Sequence, residues 1–284
     1  MKVVIFCGGL GLRMRTQIDS APKPMMAIGD RPVLWHIMRY YAHFGHTEFI
    51  LCLGFGAASV KQYFLHYDET HSNDFVMRKS GQDIELLQSD ISEWSISFIE
   101  TGIETSIGER LRRVRTLLED DEVFLANYGD VLTDAPLDTI VDDFLGSDAT
   151  ASLLAVPPQA SFHVVGIDEN SRVDGIVQVA TLPLWVNGGY FVLRQGVFDV
   201  LGRGEDLVEH AFVRLAQQGR LAAVRYNGFW APMDTLKERS YLEDLHRSGE
   251  APWELWAGRD DHGPAAGWWP QPQPQMLERA SCTP

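Results

Sequence analysis

Cysteine is scarce in this chain: three residues among 284, at Cys7, Cys52 and Cys282. So few thiols, so far apart, exclude a disulfide framework and a cysteine-built zinc site. Cys7 and Cys52 lie in apolar, strand-like runs, where a thiol packs as a small core residue. Positive charge is also in short supply, with 24 Lys and Arg against 39 Asp and Glu and a formal net charge of −15. Nucleic-acid binding needs a basic stripe, which this balance does not offer. An anionic small molecule must instead meet a local cationic pocket inside a repulsive overall field. No apolar run approaches the roughly 20 residues that span a bilayer, so no membrane partner is expected. Met1 and Lys2 lead directly into a short apolar run and then glycines. That is no secretory leader, and the chain reads as cytoplasmic.

What is present is an ordinary soluble composition, 45% hydrophobic and 22% charged, in a chain long enough to bury a large core. Short β-rich runs recur: VVIF at 3–6, EFILCLG at 48–54, SISFIE at 95–100 and EVFLANYGD at 122–130. Helix-length segments separate them, which predicts an α/β fold with a mixed, mostly parallel central sheet covered on both faces. In PVLWHIMRYYAHFG, Val33, Leu34, Ile37, Met38 and Tyr41 recur at helical spacing and Gly45 stops the helix. RLRRVRTLLED at 110–120 predicts a second helix, with Leu111, Val114, Leu117 and Leu118 as its apolar stripe and arginines on the opposite face. VVGIDENSRVDGIVQ predicts a hairpin turned at Asp168–Ser171, and LVEHAFVRLAQQG at 207–219 an amphipathic helix closed by Gly219. Residues 1–256 read as one domain with a small β lobe and C-terminal helices. The proline-rich stretch 257–284 reads as an irregular tail, which Trp268 and Trp269 would dock if they are kept from water.

The chemistry begins at the first strand. VVIFC runs into Gly8, Gly9, Leu10 and Gly11, followed by Arg13 and Arg15, and Lys23 follows between two prolines. Glycines there let backbone N–H groups approach an anion, and the arginines supply charge. The loop has neither the Lys-Ser/Thr ending of a Walker loop nor the G-x-G-x-x-G spacing of a dinucleotide fold. Two aspartates follow apolar segments, Asp130 in NYGD and Asp234 in PMDT. At the carboxyl edge of a parallel sheet such carboxylates can hold Mg²⁺, with water and phosphate completing its shell. A turn role for Asp130 and a helix cap for Asp234 are the competing readings.

The pairing of GG-x-G-x-R with K-P-M resembles the signature of sugar-1-phosphate nucleotidylyltransferases. IGDRPVLWHIM, YGD, NGGYFVL, GFWAPMDTLKE and APWELW narrow the likeness to the glucose-1-phosphate cytidylyltransferases, up to about Trp256. The resemblance implies a Rossmann-like nucleotidyltransferase fold with a small β sugar-binding lobe, in a homo-oligomer. It implies Mg²⁺-dependent transfer of CMP from CTP to a sugar 1-phosphate, with glucose 1-phosphate first in line. Arg13, Lys23 and Asp130 would be catalytic, and Asp130 and Asp234 would hold the metal. Gly8, Gly9, Leu10, Gly11, Arg13, Lys23, Thr101, Gly102 and Arg110 would bind the nucleotide, Arg110 lying in a segment that closes over it. Gln178, Asn187 and Gly188 would face the sugar, although the Gly pair also reads as a structural bulge.

Three positions depart from the family pattern. Leu12 replaces a threonine, Glu109 stands where a glycine is usual, and Gln178 falls where a lysine normally meets the sugar phosphate. Another cation, Arg112, Arg113 or Arg172, would then compensate, or the acceptor differs, or the chain is a nucleotide-binding subunit without activity.

Overall fold

Seven of the apolar runs become the strands of one sheet. The computed structural model describes residues 1–8, 22–71, 73–159 and 162–257. In chain order the strands are β1 (Val3–Cys7), β2 (Glu48–Leu53), β3 (Ser95–Glu100), β4 (Val123–Tyr128), β5 (Ala151–Val156), β6 (Val186–Arg194) and β7 (Leu221–Arg225). They lie in the order β7-β5-β6-β4-β1-β2-β3. Only β6 runs antiparallel to its neighbours β4 and β5. The sheet is therefore mixed and mostly parallel, as the alternation of strands and helices predicts.

Successive β1 side chains enter opposite layers, because strand side chains alternate faces. Val3, Ile5 and Cys7 join one hydrophobic cluster, while Val4 and Phe6 join the other with Cys52. The two buried thiols thus sit in different layers and are free. The helix Val33–His43 covers the first layer with Leu34, Ile37, Met38 and Tyr41, which are almost wholly buried. Ile107–Arg113 and Leu207–Gln217 cover the second.

Two helices differ from expectation. The segment expected at 110–120 starts earlier, at Ile107 behind the Ser106 cap, and gives way after Arg113 to a 3-10 turn at Arg115–Leu117. Leu111, Val114 and Leu118 are buried, but so is Arg110, so the arginines do not all face solvent. Leu207–Phe212 is a π-helix before the chain settles into the α-helix Val213–Gln217.

A two-stranded ribbon, His163–Ile167 paired with Val173–Gln178, leaves the sheet between β5 and β6. Its turn is fixed by Asp168 Oδ1, which accepts from the Asn170 and Arg172 amides at 2.9 and 2.8 Å. This is the hairpin expected at Asp168–Ser171. A second ribbon, Phe75–Arg78 with Asp83–Leu86, is not anticipated by the sequence reading. The expected irregular tail, including Trp268 and Trp269, lies outside the described residues beyond Ala257.

The end of the described chain returns to the first helix. Trp253 is fully buried, and its Nε1 donates to His36 Nδ1 at 3.2 Å. His36 Nε2 in turn donates to the Ile28 carbonyl at 3.1 Å. This chain of bonds needs a neutral imidazole with its proton on Nε2. Burial accordingly lowers the His36 pKa to about 4. The unfolded chain binds a proton there near pH 6.5, so stability is complete above that pH and is lost as pH falls toward 4. The loss is on the order of 3 kcal/mol. Urea unfolding of the wild type and His36→Gln should therefore diverge at pH 7 and converge toward pH 4.5. A gap independent of pH contradicts the neutral, buried imidazole.

Candidate active site

The site is assembled by a short ladder just past the carboxyl end of β4. β4 ends at Tyr128, and after Gly129 and Asp130 the chain forms a strand at Val131–Thr133 that pairs antiparallel with Trp230–Pro232. Val131 stands opposite Pro232, and the Met233 amide donates to the Asp130 carbonyl at 2.8 Å. That register brings Asp130 and Asp234, 104 positions apart in sequence, to the same end of one ladder.

Lys23 reaches both. It opens a 3-10 turn, Lys23–Met25, behind an extended Pro22. Pro24 of this turn packs against Gly129, where a Cβ would lie 3.2 Å from Pro24 Cγ and 2.9 Å from the Phe6 carbonyl. The glycine in YGD is thus what lets the lysine turn approach. Lys23 Nζ donates to Asp130 Oδ2 at 3.3 Å and to Asp234 Oδ1 in a shorter contact. Burial pulls the lysine pKa down, but the two carboxylates more than offset it and the net shift is upward. The Asp130 carboxyl is raised by burial, with the Asp234 charge adding to the shift and Lys23 opposing it.

Asp234 is not the cap of the helix Leu236–Ser248. Thr235 is: its hydroxyl accepts from the Glu238 amide at 3.2 Å, and Glu238 returns to the Asp234 and Thr235 amides at 2.7 and 2.8 Å. This capping box leaves the Asp234 carboxylate free for Lys23.

Arg110 occupies a different place from the one expected. Its guanidinium is nearly fully buried and lies against Gly8, where a Cβ would come within 2.1 Å of Nη1. Its donors go to the Thr105, Leu53 and Ile103 carbonyls at 3.0, 3.2 and 3.1 Å and to the Thr101 hydroxyl at 2.7 Å. Thr101 itself is fully buried and donates to the Leu53 carbonyl. Gly8, Thr101, Gly102 and Arg110 therefore come together, but with the arginine packed beneath the glycine, not on an open face above it. Gly9, Leu10, Gly11, Leu12, Arg13 and Arg15 lie outside the described residues.

Glu109 points away from this group. Its carboxylate accepts from the Gly204 amide at 2.9 Å and pairs with Arg113 at 3.4 Å and Arg112 at 3.6 Å, and the Gly204 bond is the main cause of its lowered pKa. It ties two loops together. The arginines expected to compensate for Gln178 are otherwise engaged. Arg112 Nη1 donates to the Leu201 carbonyl and Arg113 Nη1 to that of Thr101, at 2.9 and 2.7 Å. Arg172 sits at the turn of the ribbon, at its far end from Gln178.

At the start of β6, Asn187 Nδ2 donates to the Tyr128 hydroxyl at 3.1 Å and its Oδ1 accepts from the Gly189 amide at 2.9 Å. The Gly188 carbonyl accepts from Trp230 Nε1 at 2.8 Å. The first of these bonds ties β6 to β4, and the Trp230 bond ties it to the strand that precedes Asp234. Trp230 was not among the expected site residues, and only its place in GFW-x-PMD, four residues before Asp234, hints at the role.

Comparison with known proteins bears on this geometry directly. The family model described as nucleotidyl transferase matches residues 2–246. The chain belongs to the nucleotidyl transferase family. A glucose-1-phosphate cytidylyltransferase of Salmonella typhimurium is 36% identical over 265 residues, which cover 90% of this chain and 100% of that protein. Among solved structures, a Bacillus anthracis protein assigned as a glucose-1-phosphate thymidylyltransferase has a TM-score of 0.63 at 16% identity, over 87% of this chain and 95% of its own. HddC from Yersinia pseudotuberculosis has 0.58 at 16% identity, over 86% and 99%. At such identity these two carry the fold, and the fold they carry is the α/β nucleotidyltransferase fold.

In this nucleotidyl transferase the lysine is the only cation seen between Asp130 and Asp234 among the described residues. Lys23→Met should leave two facing carboxylates and lower stability at pH 7 by about 1–2 kcal/mol, discounted for the exposure of Asp234. Protonation relieves that repulsion, so the deficit should shrink toward pH 4. Denaturant titrations at the two pH values measure it, and a deficit that is unchanged or larger at pH 4 contradicts the arrangement.

Proposed function

We propose that this nucleotidyl transferase transfers CMP from CTP to a sugar 1-phosphate, glucose 1-phosphate first, and releases pyrophosphate. One observation carries the reading: the Lys23–Asp130–Asp234 cluster stands at the sheet edge of a chain that aligns along the whole length of a glucose-1-phosphate cytidylyltransferase. An oxygen of the sugar phosphate attacks the α-phosphorus, and a new P–O bond forms. The bond from the α-phosphorus to the bridging oxygen breaks, and pyrophosphate leaves with that oxygen. The attacking phosphate is already anionic, so neither a general base nor a covalent enzyme intermediate is required.

The protein's task is to position and neutralise. An ammonium has three N–H donors. Two of those on Lys23 go to Asp130 and Asp234, which leaves the third for an oxygen of the α-phosphate. Gly8 and the loop that follows, with Arg13, hold the rest of the triphosphate. Arg110 lies against Gly8, and Asn187 and Gly188 form the wall of the sugar side.

The donor set also fits Mg²⁺. Asp130 and Asp234 offer hard carboxylate oxygens that converge on one ammonium. Among the described residues no third acidic or histidine ligand joins them, as suits an ion that keeps water and phosphate oxygens for its remaining positions. Bound there, Mg²⁺ supplies charge neutralisation at the phosphate oxygens.

Two further readings belong to the proposal. The cytoplasm suits two buried free thiols, and no helix among the described residues is long and apolar enough to cross a membrane. Self-association is supported by the exposed apolar side chains of the two ribbons, among them Met77, Ile84, Ile167 and Ile176. A different phosphorylated acceptor is a second reading, favoured by Gln178.

Pyrophosphate release tests both substrate readings, with CTP, UTP, dTTP, GTP and ATP against a panel of sugar 1-phosphates. CTP with glucose 1-phosphate should be the fastest pair. Asp130→Ala should lower that turnover about 100-fold or more while the fold persists. A preference for another pair reassigns the substrates, and a fully active Asp130→Ala contradicts the site.

A further inference from the structure

The ribbon of Phe75–Arg78 and Asp83–Leu86 has two unlike faces. Phe75 stands opposite Leu86 and Met77 opposite Ile84, while Val76 stands opposite Glu85 and Arg78 opposite Asp83. Side chains of directly opposed residues share a face, as do those two apart on one strand. One face is therefore wholly apolar, and the other carries the charges, with an ion pair of its own between Arg78 Nη1 and Glu85 at 2.6 Å. On the apolar face Phe75, Met77, Ile84 and Leu86 are 41%, 61%, 49% and 36% exposed, and none of them joins either hydrophobic core cluster. Apolar side chains gathered in this way in water mark a surface that something covers.

The described chain ends close to the root of this ribbon. Trp256 packs on Trp35, with ring centroids 5.8 Å apart. The Arg31 guanidinium lies 5.5 Å from the centre of the Trp35 ring and pairs with Asp90 at 3.4 Å. Asp90 follows Leu86 by four positions, a step of at most about 14 Å. From Ala257 the sequence continues to Pro284, outside the nucleotidyl transferase match, which ends at residue 246. Eleven positions separate Ala257 from Trp268, enough to span about 36 Å when extended. The two tryptophans of that stretch can thus reach the ribbon.

The composition of the stretch suits the face. In WWPQPQPQML, Trp268, Pro270, Pro272, Pro274 and Met276 alternate with Trp269 and glutamines. An extended run of this kind presents one apolar edge and one amide edge. Proline has no N–H to donate, so the run is a poor third strand for the ribbon and must bind through its side chains. Tryptophan buries a large apolar area per residue, and a thioether such as that of Met77 packs favourably against an aromatic ring.

We propose that the segment 268–276 of this chain folds back onto the apolar face of the 75–86 ribbon, with Trp268 seated among Phe75, Met77, Ile84 and Leu86. The tryptophans and the open face then shield each other from water. The two apolar ribbons thereby receive different occupants: this one takes the chain's own C-terminal segment, and the ribbon at 163–178 remains the face for a second copy.

Hydrogen–deuterium exchange of the full-length chain tests this, because peptides from both ribbons report in one experiment. Trp268→Ala/Trp269→Ala should speed amide exchange across residues 75–86 about fivefold or more, at high and low protein concentration alike, and leave residues 163–178 within about twofold. The substituted positions lie outside the nucleotidyl transferase match, so loss of fold is not expected, and unchanged exchange in β4 checks this. Exchange at 75–86 that stays within twofold in the double variant overturns the proposal. So does protection of 75–86 that the wild type loses on dilution, which would assign the face to a second copy.

Discussion

The contact of one ammonium with two carboxylates organises this protein. Lys23 comes from a proline-flanked turn after the first strand, Asp130 from the end of the fourth, and Asp234 from the segment after the seventh. Each charge would be costly so close to the core without the others. Much of the local architecture follows from bringing them together. The ladder between Val131–Thr133 and Trp230–Pro232 sets the register of the aspartates, Gly129 admits the lysine turn, and the Thr235–Glu238 box relieves Asp234 of capping.

A second cation works in the opposite manner. Arg110 has no carboxylate within bonding distance among the described residues, and oxygens of the backbone and of Thr101 surround it instead. Neutral acceptors satisfy its donors without cancelling its charge. A guanidinium held in this way beneath Gly8 keeps its field directed toward the start of the glycine loop, in a chain whose overall charge is strongly negative. The arginines beside it, Arg112 and Arg113, are tied to carbonyls and to Glu109 and serve to hold the surrounding loops.

Much of the fold is legible in the sequence because the central strands are apolar on both faces and the turns between them carry glycine. The hairpin at 163–178 is legible through Asp168–Ser171. The ribbon at 75–86 is not, because its strands are short, exposed and mixed in character, so neither period stands out. Helical periodicity counts every arginine as polar and outward, which hides the burial of Arg110. It is equally blind to the π-helical start at Leu207, where the hydrogen-bond pattern changes while the apolar spacing barely does. For the site, Asp130 and Asp234 are legible as carboxylates after apolar segments. Whether Asp234 or Thr235 caps the following helix depends on atomic positions that one chain of letters does not contain.

On the proposed reaction, an oxygen of the sugar phosphate attacks the nucleotide's α-phosphorus directly, at the edge marked by Lys23, Asp130 and Asp234. The most direct measurement follows oxygen. Glucose 1-phosphate with ¹⁸O in its phosphate would be incubated with CTP and the protein, and both products weighed by mass spectrometry. Direct attack yields a cytidine diphosphate sugar that retains every labelled oxygen, together with unlabelled pyrophosphate. Label in the pyrophosphate, or no sugar nucleotide at all, would contradict it.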